Sequence, residues 1–99
     1  MATLYVSEFP EIALAVNAPT PMARQPAIVE QAVSIGANSA PSAAFNVRTK
    51  MVRLHTDVIC SVTFGTAPVA TAAMARMAAG QTEYFAVQPG DKVAVITNT

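Results

Sequence analysis

The side chains most capable of chemistry crowd into one short stretch: Arg48, Lys50, Arg53, His55 and Asp57, with Cys60 just beyond. A thiol, an imidazole and a carboxylate that orients it would make a nucleophilic triad. Strand parity argues against that use. On an extended chain Arg53, His55 and Asp57 project to one side, because successive side chains alternate. Cys60 has the opposite parity and shares its side with Val58, Val62 and Phe64. The expectation is a core thiol behind a solvated or interface face, and no catalytic residue is assigned. A metal centre needs three or four ligands. One His, one Cys and scattered carboxylates do not supply them within a protomer, leaving only a His55 site shared by three chains about an axis. The four glycines, at 36, 65, 80 and 90, are isolated, so there is no phosphate-cradling loop. No cofactor and no small-molecule substrate are expected. Arg48, Lys50 and Arg53 lack interleaved aromatics and have Glu83 and Asp91 to pair with, so no direct nucleic-acid contact is expected either.

The elements that must hold these residues belong to a small chain. Its 99 residues make one domain with a thin core. Six basic side chains balance six acidic ones, which excludes a strongly basic nucleic-acid binder and an acidic tail protein. Charged residues are 12% of the chain, about half the usual ~25%. Mean hydropathy is +0.39, and twenty of the apolar residues are Ala. So few charges on so small a surface imply that other protein chains cover part of it. The single Cys rules out an intrachain disulfide. No apolar run is long enough to span a membrane as a helix. The opening residues lack a basic region followed by a Leu-rich one, so a cytoplasmic origin is expected.

Hydrophobic periodicity reads as all-β. Thr3–Phe9 alternates as a strand, and four prolines then follow between residues 10 and 26. Residues 1–26 are expected to be an extended Pro-rich arm, excluded from the centre of a sheet. Residues 27–99 are expected to form a β-sandwich or jelly-roll-like barrel of seven or eight short strands. Its clearest strands are read at residues 27–35, 45–55, 58–64, 82–87 and 92–97. Thr56-Asp57 is read as a hairpin turn, residues 70–79 as one or two helical turns ended by Gly80, and Gln88-Pro89-Gly90-Asp91 as a type II turn.

The run Val52–Pro68, closing on Phe64-Gly65-Thr66-Ala67-Pro68, continues into Ala79-Gly80-Gln81-Thr82-Glu83-Tyr84-Phe85-Ala86-Val87-Gln88-Pro89-Gly90-Asp91. This C-terminal half resembles small β-rich virion proteins of tailed bacteriophages, among them capsid decoration (cement) and minor capsid subunits. The resemblance is one of structural pattern and brings no functional residues. It implies a non-enzymatic protein of the virion surface, assembled in the host cytoplasm. It also implies a homotrimer that contacts the major capsid protein and stabilises the head at capsomer junctions. A phage tail, neck or fibre-base protein is the alternative, and a small ligand-binding barrel using His55 and Arg53 is a second. The expected assembly contacts are Leu4, Tyr5, Phe9, Met22 and Arg24 of the arm, of which Tyr and Arg are types enriched at interfaces.

Overall fold

The computed structural model describes residues 2–10, 12–15, 18–23 and 27–98, with only the backbone course of 12–15 and 18–23. Ten strands run in order: β1 (Thr3–Phe9), β2 (Ile12–Ala15), β3 (Ala18–Ala23), β4 (Val29–Ser34), β5 (Ala40–Pro41), β6 (Met51–Thr56), β7 (Cys60–Gly65), β8 (Ala75–Met77), β9 (Thr82–Ala86) and β10 (Lys92–Thr97). Eight of them build two antiparallel sheets. Sheet I has the order β4-β1-β6-β9 and sheet II the order β5-β10-β7-β8, while β2 and β3 pair only with each other as a separate ribbon. The protein is therefore all-β, a small sandwich. Its strand order is that of a jelly roll in which β1 stands where the last strand would be, a circular permutation of the usual path.

The core follows strand parity. Leu4 and Val6 of β1, Val33 of β4 and Val52 and Leu54 of β6 face inward from sheet I. They meet Cys60, Val62, Val93, Val95 and Met77 of sheet II in one cluster that Phe45 and Ile35 close at the ends. Each such side chain, fully buried, contributes roughly 1.5–3 kcal/mol. Phe64 stacks at a tilt against both Phe85 and Phe45, with centroids 5.1 and 6.4 Å apart, and seals one rim.

Several expectations are corrected. Residues 3–9 are core strand: β1 lies between β4 and β6, because Leu4 and Val6 supply the buried side that a central strand needs. The prolines that argued for an arm all come after Phe9, and the two sheets hold none of the described residues between 10 and 23. Thr56-Asp57 makes no hairpin. β6 pairs with β1 and β9, β7 pairs with β10 and β8, and the link between them crosses from one sheet to the other. Residues 45–50 are loop, held by side-chain bonds described below. Residues 70–79 form no helix. Met77 is drawn into the core opposite Cys60, a pairing that outweighs the modest helix preference of a few alanines. The type II turn is present: Gly90 has φ of 84°, and the Asp91 N–H donates to the Gln88 carbonyl at 3.2 Å.

Candidate functional site

The residues of the Arg48–Cys60 stretch separate as parity demands. Arg53 and His55 stand on the outer face of sheet I, between the buried Val52, Leu54 and Thr56. The His55 Nδ1 lies 2.7 Å from the Thr82 hydroxyl on β9. Cys60 faces the other way and is fully buried. Its thiol donates to the Thr56 Oγ1 at 3.5 Å, and burial pushes its pKa up despite that bond. A thiol so placed is a poor nucleophile. Among the described residues no three His, Cys, Asp or Glu side chains gather as metal ligands would.

The outer face of sheet I is a grid set by register. One row runs Ala32–Tyr5–His55–Thr82, the next Glu30–Ser7–Arg53–Tyr84, and the third Phe9–Met51–Ala86. Tyr5 and Tyr84 are 45% and 55% exposed, although large aromatics. The Tyr5 ring tilts against His55 at 6.3 Å, and the Ser7 hydroxyl donates to Glu30 at 2.9 Å. At the end of β6 and β9 the face drops into an open groove of about 760 Å³. Its apolar lining comes from Pro10, Val47, Met51, Tyr84 and Ala86, while Arg48 and Lys50 stand at its rim. Val47 is 81% exposed there. Tyr, Met and Arg over apolar ground are what protein interfaces are rich in.

The outer face of sheet II differs. The chain's own link between β7 and β8 lies against it. The Ala70 N–H donates to the Ser39 hydroxyl at 2.8 Å, and the Asn98 side-chain amide donates to Ser61 at 2.7 Å and to the Ala72 carbonyl at 3.1 Å. Ala70, Ser61 and Ala94 are consequently buried.

Sequence reasoning missed the polar node that shapes the groove. Glu8, on the inner side of β1, has no exposed surface. Its carboxylate accepts from the Asn46 N–H at 2.8 Å, the Thr49 hydroxyl at 2.7 Å and the Gln31 amide at 2.7 Å. Gln31 in turn accepts from the Ala43 N–H at 2.9 Å. This network holds residues 43–49 as loop and so places Val47 and Arg48. The available signal was Glu8 at the parity of Leu4 and Val6, a carboxylate on a core face that must find donors.

Of the residues expected at assembly contacts, Leu4 and Phe9 are corrected. Both are buried within the protomer and offer nothing to a neighbour. Tyr5 is about half exposed on the outer face of sheet I, in the row beside the buried Ser7. Met22 falls on β3, where only the backbone is described, and Arg24 lies outside the described residues. Compared with protein-family models, curated proteins and solved structures, the chain finds no match in any of the three.

Proposed function

We propose that this chain is a non-enzymatic assembly subunit, a capsid decoration protein of a tailed-phage virion that works as a homotrimer against the major capsid protein. The observation that carries the assembly reading is the outer face of sheet I, where Tyr5, Arg53, Met51 and Tyr84 are presented together and no part of the described chain covers the two tyrosines. The resemblance of residues 52–96 to small virion proteins supplies the context, and the low charge content agrees with it. The chemistry-bearing side chains are engaged elsewhere: Cys60 in the core and His55 with Thr82.

The mechanism is burial. If each copy covers about 1,000 Å² of apolar area on its neighbours, the gross stabilisation is about 25 kcal/mol, from which the entropy of association is subtracted. Repeated over many copies, a modest surplus holds capsomers together against internal pressure. Heads assembled with and without the protein provide the test, through the temperature at which they release DNA. Decorated heads should open at higher temperature. Equal release temperatures would reject the cementing role, and a copy number of about a dozen per particle would move the protein to the tail or neck.

A further inference from the structure

We propose that the free edge of β9 takes up an extended segment of a different protein by strand addition, and that this segment has apolar side chains at alternate positions and a carboxylate at the end lying over Arg48 and Lys50. The inference is independent of the virion reading and needs only the edge and its surroundings.

Among the described residues the edge has its hydrogen-bonding groups unpaired. The Val87 N–H donates to the Lys50 carbonyl at 3.0 Å, and the Thr56 N–H donates to the Gln81 carbonyl at 3.2 Å. In an antiparallel ladder alternate residues face the partner strand. Positions 81, 83, 85 and 87 therefore turn toward β6, and the N–H and C=O groups of Thr82, Tyr84 and Ala86 point away from it. Among the described residues those groups meet no other strand, because β9 is the last strand of sheet I. The other edges are guarded in ways known to deter pairing. β8 has three residues and β5 has two, one of them Pro41. β4 carries the exposed charge of Glu30 among its outward-facing edge positions. β9 has five residues and no proline.

Side-chain space exists on both sides of the same edge. On the outer side lies the groove over Tyr84, Ala86 and Met51. On the inner side, at the rim between the sheets, a second hollow of about 230 Å³ is lined by Phe64, Phe85 and Val87, with Gln88 and Asp91 completing it. An added strand sends successive side chains to opposite faces, so it would fill the two hollows alternately. Arg48 and Lys50, both exposed at the outer hollow, select a negative charge there.

A second copy of this chain is the poorer occupant. Antiparallel pairing of β9 with itself must match the outward-facing positions 82, 84 and 86. Each register that pairs at least two of these positions sets Glu83 against the other Glu83 or against Phe85 or Val87 at the inner hollow. Opposed like charges destabilise, and a carboxylate desolvated among phenylalanines costs more.

The experiment is selection from a displayed library of short random peptides on the full chain, followed by affinity measurements. The selected peptides should alternate apolar residues and carry Asp or Glu at one end. Ala86→Pro removes an outward N–H without touching the β6 ladder and should weaken them about tenfold. Arg48→Glu with Lys50→Glu should weaken them by about threefold or more. N-methylation of alternate backbone nitrogens of the peptide should abolish binding in one parity and spare it in the other, and this arm uses the unaltered protein should Ala86→Pro fail to fold. No enrichment, equal binding to a folded Ala86→Pro, or tolerance of methylation in both parities would overturn the proposal. A homodimer dispersed by Ala86→Pro would overturn the assignment of a different protein as partner.

Discussion

The two outer faces of the sandwich are treated differently by their own chain. Over sheet II the link between β7 and β8 is tied down by Ser39 and Asn98, and Ala94, Ser61 and Ala70 are buried beneath or within it. Over sheet I, Arg53 and Tyr84 are in register and Tyr5 stands in the neighbouring row, and both tyrosines are about half exposed among the described residues. A chain this short has little material to spare. It lays the nine-residue link 66–74 over one face and leaves Tyr5 and Tyr84 about half exposed on the other, and the second is the face that the proposed assembly would use. Buried polar groups build the molecule, as at Glu8.

A charge placed on each face separates them most sharply. Ala94→Asp buries an unpaired carboxylate and should cost about 4 kcal/mol or more, enough to unfold most of the protein. Ala32→Asp puts the same charge on the bare face and should stay within about 0.5 kcal/mol. Chemical denaturation of the two variants checks this, and similar losses would erase the distinction. Next in size is Glu8→Ala, which orphans the Thr49 hydroxyl, the Asn46 N–H and the Gln31 amide together. A loss of about 2–4 kcal/mol is expected, with hydrogen exchange accelerating in residues 43–49 before anywhere else. Asn98→Ala should cost about 1 kcal/mol and expose the Ala72 segment to proteolysis, with no change at the bare face. Tyr5→Ala with Tyr84→Ala should leave the monomer's unfolding free energy within about 1 kcal/mol while removing self-association.

Cys60 reports on the interior that the faces share. Its folded-state pKa is raised, so above the ordinary value of 9.0 the unfolded chain loses its proton first. The folded state then holds more protons, and stability falls as pH rises past 9. Below that pH this contribution is constant. A thiol reagent should modify Cys60 at the rate of global unfolding, and Cys60→Ala should flatten the alkaline decline.

Much of the architecture could be read from alternation alone. β4, β7, β9 and β10 lie where period-2 runs of Val, Ile, Phe and Tyr put them, and the Pro89-Gly90 turn lies where its two residues require. The opposite parities of His55 and Cys60 also held, since they follow from the pleat. What could not be read was pairing. Nothing near Thr56-Asp57 says that β6 and β7 join different sheets, because that depends on partners distant in sequence. β1 was misjudged because the prolines beyond Phe9 weighed on the whole segment, although Leu4, Val6 and Glu8 share one side. Residues 45–50 alternate well enough for a strand, and only the long-range pull of Glu8 makes them loop. Of the candidate site, Tyr5 is legible only as a residue type enriched at interfaces, and its exposure follows from its place on the outer face of sheet I. Tyr84, Met51 and the groove required the sheet order that brings β1, β6 and β9 together.

Sedimentation equilibrium of the full chain, alongside the Tyr5→Ala/Tyr84→Ala variant, tests the assembly reading most directly. The account predicts a trimer for the wild type and a folded monomer for the variant. A wild-type chain that sediments as a monomer at every concentration, with the double variant indistinguishable from it, would contradict it.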